Sequence, residues 1–161
     1  MSIRDIPLTT ISGATTTLAE HADKVVLVVN VASKCGLAPQ YDTLEAMYQK
    51  YRDRGFIVLG FPSNQFFQEP TDGEALEEAC RINHGVTFPL FEKTRVNGKN
   101  AHPLYAELTQ TPDANGKAGK VKWNFEKFVI TPDDTVHRFR PTTVPDAPEI
   151  VSVIEEALAP A

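Results

Sequence analysis

Val25-Val26-Leu27-Val28-Val29-Asn30-Val31-Ala32-Ser33-Lys34-Cys35-Gly36 is the stretch on which the reading of the chain turns. The unbroken apolar, mostly β-branched run at 25–29 predicts a strand over 25–31 that is buried on both faces. Leu37-Ala38-Pro39-Gln40 then leads into helical spacing. A cysteine in such a strand-to-helix turn sits among unpaired backbone N–H groups, where the helix dipole favours negative charge. Lys34 adds a positive charge next door and Gly36 leaves the backbone open. Together these features favour a thiolate at Cys35, and the thiolate is the nucleophilic form. The competing reading is a structural thiol under a helix.

Outward from this stretch, Ser12-Gly13-Ala14 reads as a turn between arms at 3–11 and 15–18. Tyr41, Leu44, Met47, Tyr48 and Tyr51 recur at helical spacing over 39–54, Pro39 suits a first turn, and Gly55 ends the helix. Their stripe reads as core packing. Residues 56–61 predict a second buried strand, followed by a loop from Pro62. Thr71 and Glu74 have capping-box spacing, so a helix is expected from there to about Asn83. Residues 86–91 form a short apolar segment in which Pro89 argues for an edge or a bend. Residues 96–99 are turn-like, 103–110 helical, and 111–122 a polar, Gly-containing loop. Residues 125–131 and 135–139 alternate apolar and polar around Pro132-Asp133-Asp134, a hairpin. Ile150, Val153, Ile154, Ala157 and Leu158 mark a last amphipathic helix. A β-α-β start completed by a β-hairpin and a helix predicts a thioredoxin-like α/β fold. It would have a central mixed sheet flanked by helices and an N-terminal β-hairpin, in one domain spanning 1–161.

With 161 residues, 42% hydrophobic and 23% charged, the composition is that of a soluble globular protein. A net charge of −5 argues against a nucleic-acid partner. No apolar run approaches the ~20 residues of a bilayer span, so stable membrane insertion is not expected. Residues 1–7 lack the long apolar segment of a signal peptide, so a cytoplasmic location is the default. The two cysteines, Cys35 and Cys80, are too few for a disulfide scaffold and form no C-x-x-C pair. His21, His84, His102 and His137 are dispersed, with no pair at metal-ligand spacing, and no cofactor is expected.

A thiolate at Cys35 can attack the O–O bond of a peroxide and become a sulfenic acid. The departing oxygen needs donors, and amides or an indole N–H supply them. Gln65 and Gln68 follow the second strand, and Trp123-Asn124 precedes a later one. Loops at the carboxyl ends of strands gather at one rim of such a sheet, so Cys35, a loop glutamine and Trp123 are expected to converge. Each also has a plain reading: a solvated loop glutamine, a core tryptophan, a turn-forming asparagine. Cys80 is either a buried helical residue or the partner that condenses with the sulfenic acid to a disulfide. That bond needs Cα atoms within about 7 Å, so the helix near Cys80 is expected to be only marginally stable.

Three stretches carry a resemblance to the glutathione peroxidase family. Residues 30–36 resemble its active-site signature. Phe61-Pro62-Ser63-Asn64-Gln65-Phe66 with Gln68-Glu69-Pro70 resembles the second, and Trp123-Asn124-Phe125-Glu126-Lys127-Phe128 the third. Their order and spacing agree over nearly the whole chain. The resemblance implies a thioredoxin fold and reduction of hydroperoxides, with Cys35 as peroxidatic residue and Gln68, Trp123 and Asn124 completing a catalytic tetrad. It also implies that Cys80, within Ala79-Cys80-Arg81-Ile82-Asn83-His84-Gly85, is the resolving cysteine of the thioredoxin-dependent branch. Little chain lies between Gly98 and Trp123, so the insertion of tetrameric, glutathione-using members is absent; this favours thioredoxin as reductant and a monomer. Ser63 stands where the second signature commonly has cysteine, leaving Cys80 as the candidate partner. A single residue, Phe67, separates Phe66 from Gln68 where the family pattern has two, which keeps Gln65 as the alternative to Gln68.

Other readings use the same residues. A peroxiredoxin would need Pro and Thr or Ser where Val28 and Ala32 stand. A peroxide sensor that passes its oxidation to a partner, a glutathione-using peroxidase and a non-catalytic thioredoxin-like module differ in turnover or in the reactivity of Cys35.

Overall fold

A computed structural model describes residues 2–32, 36–64, 66, 78 and 85–158. The chain opens on a 3-10 turn, Ile3–Asp5, and a two-residue antiparallel ladder between β1 (Leu8–Thr9) and β2 (Thr15–Thr16). The expected hairpin is present, but its arms are shorter than 3–11 and 15–18. Beyond β2 the chain coils into a second 3-10 turn, Leu18–His21, which sinks Leu18 into the core.

β3 (Val25–Val31) is buried at every position, as its composition predicts. α1 (Gln40–Tyr51) and a 3-10 turn, Arg52–Arg54, cross over to β4 (Phe56–Pro62). Gly55 makes the connection at φ +96°, a left-handed conformation that favours glycine. β4 pairs parallel to β3, from Val25 opposite Phe56 to Val31 opposite Pro62. After α2 (Pro103–Leu108), β5 (Lys127–Ile130) pairs antiparallel with the other side of β3, and β6 (Val136–Phe139) pairs with β5. α3 (Pro148–Ala157) closes the fold. The sheet order is β4-β3-β5-β6, a mixed sheet in a thioredoxin-like α/β arrangement.

Period-2 alternation of β3 supplies the two cores. Val25, Leu27 and Val29 pack with Tyr41, Leu44 and Met47 of α1 and Ile150 and Ile154 of α3. Val26 and Val28 face the other way, toward Leu104, Tyr105 and Leu108 of α2 and toward Leu8 and Leu18. The apolar segment at 86–91 touches the sheet through isolated bridges, Leu90 to Gly60 and Phe91 to Thr10. A Cβ at Gly60 would lie 2.9 Å from the Leu90 side chain and 3.0 Å from that of Phe88, so glycine lets this segment close on β4.

One further expectation needs correction. The strand predicted from residue 125 begins at Lys127, because Phe125 takes φ +67° and breaks the extended run. Every residue of β5 is buried, Lys127 included. β5 lies inside the sheet, between β3 and β6, and both its faces are covered. The helix expected at 71–83 falls largely outside the described residues.

Candidate active site

β3 and β4 run parallel and stop together, at Val31 and Pro62, while β5 starts at Lys127 opposite Val29. The chain after β3, the chain after β4 and the chain before β5 therefore leave the sheet at one rim. These are the three segments that bear the candidate residues. Cys35, Gln65, Gln68 and Cys80 lie outside the described residues; Phe66, Trp123 and Asn124 lie within them. The Phe66 and Trp123 rings meet at 5.2 Å between centroids, tilted by 41°, which joins the second and third segments directly.

Trp123 is 38% exposed, unusual for so large an apolar side chain and unlike a core tryptophan. Asn124 is the reverse: a fully buried amide in which neither Nδ2 nor Oδ1 has a hydrogen-bond partner among the described residues. Leaving such a group unpaired costs about 1–3 kcal/mol. A buried donor kept idle in the folded protein is suited to an acceptor that arrives with substrate.

The turn bearing these two residues is held from below. Asn30 Nδ2 donates to Trp123 O at 3.2 Å, Asn30 Oδ1 accepts from Glu126 N at 3.0 Å, and Phe125 N donates to Asn30 O at 2.6 Å. Lys127 Nζ donates to Phe125 O at 2.6 Å and to Pro141 O at 3.0 Å. Pro141 O also accepts from Gln40 Nε2 at the start of α1, at 3.0 Å. The Glu126 carboxylate is paired with Arg138 and, at 3.0 Å, with Arg140. Upstream, Val121 is clamped by Asn97, whose amide donates to Val121 O and accepts from Val121 N, both at 2.7 Å. Sequence reasoning assigned no role to Asn30, Lys127 or Arg138. For Asn30 a signal was present: an amide in a doubly buried apolar strand must spend its hydrogen bonds on something.

A family model described as Glutathione peroxidase matches residues 3–109. The chain belongs to the glutathione peroxidase family. It is 48% identical over 160 residues to the Glutathione peroxidase homolog BsaA of Halalkalibacterium halodurans, covering 98% of this chain and 100% of that protein. It is 43% identical over 170 residues to the Thioredoxin/glutathione peroxidase BtuE of Escherichia coli, covering 92% and 93%. Among solved structures, Trgpx in apo form superposes with a TM-score of 0.77 at 40% identity over 99% of both chains. The protein is thus a peroxidase with the thioredoxin-like fold of its family. No described helix is long and apolar enough to cross a membrane. Among the described residues no group of three or more His, Cys, Asp or Glu side chains is arranged to hold a metal ion.

Lys127 gives this peroxidase a pH signature. Burial pushes its ammonium from 10.5 down to about 7, with the neighbouring Glu126 carboxylate pulling the other way. Between those values the folded state binds fewer protons than the unfolded state, so stability rises with pH across the window. One such group contributes a slope of up to about 1.4 kcal/mol per pH unit. Urea unfolding at pH 7 and at pH 9 should therefore show the wild type gaining stability relative to Lys127→Met. A difference between the two proteins that does not change with pH contradicts this.

Proposed function

We propose that the protein reduces hydroperoxides with Cys35 as the nucleophile and with Gln68, Trp123 and Asn124 as donors to the transferred and departing oxygens. The Cys35 thiolate attacks the peroxide, the O–O bond breaks, sulfur is oxidised to the sulfenic acid, and the departing oxygen takes a proton to leave as water or an alcohol. The Cys80 thiolate then attacks the sulfenic sulfur, and the hydroxyl leaves as water after protonation. Thioredoxin reduces the resulting disulfide by thiol–disulfide exchange. The observation that carries this reading is the idle, buried amide of Asn124 beside a half-exposed indole, at the rim where β3 delivers the chain that bears Cys35. Gln65 is the alternative to Gln68.

Thioredoxin is favoured over glutathione because a second cysteine is available to make a disulfide, and the chain is read as a monomer in the cytoplasm. The name of the Escherichia coli relative, thioredoxin/glutathione peroxidase, joins both reductants. Steady-state peroxide consumption should therefore be measured with thioredoxin, thioredoxin reductase and NADPH, and separately with glutathione and its reductase. Faster turnover with thioredoxin is expected. Cys80→Ser should undergo one oxidation per protein with peroxide and then stall. A Cys80→Ser protein that cycles normally with thioredoxin contradicts the resolving role, and a wild type oxidised at Cys35 without turnover points instead to a sensor.

A further inference from the structure

We propose that Asn30 is a positioning residue of this peroxidase: its amide ties the strand leading to Cys35 to the turn 123–126 and so sets where the Trp123 indole and Asn124 amide stand relative to the sulfur. The proposal rests on the reading of Cys35 as the nucleophile. Asn30 is fully buried, and its neighbours in β3 are all apolar. The antiparallel ladder between β3 and β5 reaches only as far as Val29 opposite Lys127. One residue further on, the Asn30 side chain takes over from the ladder. Its two bonds fall on Trp123 O and Glu126 N, and the Asn30 backbone carbonyl accepts from Phe125 N; together they bracket Asn124, whose own amide bonds to nothing among the described residues.

Asn124 is therefore placed by its backbone rather than by its side chain. That backbone includes Phe125 at φ +67°, a conformation disfavoured for a residue with a Cβ and retained only where the surroundings impose it. The Phe125 N–H to Asn30 O bond and the flanking side-chain bonds are what impose it here. Asn30 lies five residues before Cys35 in the sequence, so one residue couples the donor turn to the strand that leads to the proposed nucleophile.

Asn30→Val keeps the strand apolar and removes both side-chain bonds. Two rates at Cys35 separate positioning from stability. Alkylation by iodoacetamide needs the thiolate alone, whereas oxidation by hydrogen peroxide also needs donors for the departing oxygen. Asn30→Val should lower the peroxide rate by about 10–100-fold, the scale of a displaced catalytic group, while changing alkylation by less than about 2-fold. Val28→Ala, a packing lesion in the same strand, should leave the ratio of the two rates unchanged. Should Asn30→Val not fold, Asn30→Asp carries the test, since it keeps an acceptor for Glu126 N and loses the donor to Trp123 O; a fall of at least about 3-fold in the ratio is expected. A wild type whose Cys35 does not react with peroxide overturns the nucleophile assignment and this proposal together. A reactive wild type with an unchanged ratio in the variant overturns the role of Asn30 alone, as does failure of both variants to fold.

Discussion

Replacing Cys35 by serine will lower peroxide-dependent turnover by about 10⁴-fold or more, the scale of loss when an enzyme is deprived of its nucleophile. Serine preserves size and the hydrogen-bonding of a small polar side chain but ionises far outside the working range and does not form a sulfenic acid. The donors proposed at Trp123 and Asn124 are left intact, so the loss isolates the sulfur. Stability should hardly change, and urea unfolding of Cys35→Ser alongside the wild type checks this. Substantial turnover by Cys35→Ser contradicts the assignment.

The second large effect falls on stability. Arg138 is a buried cation that does the work of a whole layer of secondary structure. Its guanidinium pairs with the fully buried Glu126 and donates to Thr109 O at 3.2 Å, Thr111 O at 3.0 Å, Gly119 O at 2.7 Å and Lys120 O at 3.1 Å. The irregular loop leading to Trp123 is thereby wrapped around one side chain. Arg140 reinforces it through Glu126 and, at 2.9 Å, through Asp113. The backbone N–H of Lys117 and the guanidinium of Arg140 hold the Asp113 carboxyl down at about 2, so this outer link stays charged until strongly acid pH. Arg138→Met leaves Glu126 with Arg140 as its remaining cation and removes a donor from four carbonyls, of which Thr109 O keeps the Gly119 N–H. Breaking a buried pair from one side costs about 3–5 kcal/mol, a large part of the roughly 5–15 kcal/mol that holds a domain together. The urea midpoint should fall accordingly, whereas a loss below about 1 kcal/mol contradicts the role given to Arg138.

Local chemistry made much of the fold legible. The valine run of β3, the residues of β4, the stripe of α1 and the stop at Gly55 follow from strand and helix periodicities that short windows display. The burial of Lys127 is not legible in the alternation, because the sheet order places β5 inside and Phe125 O and Pro141 O satisfy the amine. The N-terminal arms mislead because their short ladder depends on distant packing, with Phe91 bridging Thr10 and Leu18 sunk beneath the sheet. Within the site, Trp123 and Asn124 are legible as types able to donate to an oxygen. The clamp beneath them is not, since Asn30 reaches partners 93 and 96 residues away and nothing local marks the pairing. The Arg138 network is hidden for the same reason: four backbone carbonyls leave no trace in side-chain identity.

Trp123 is the chain's sole tryptophan, so its fluorescence reports on the site alone. Reduced protein mixed with excess hydrogen peroxide in a stopped-flow instrument should show a change in that fluorescence. Its rate should rise linearly with peroxide concentration, match the appearance of oxidised Cys35 in quenched samples, and be absent from Cys35→Ser. A fluorescence trace that stays flat while Cys35 is oxidised would separate the sulfur from the indole and contradict a site built from both.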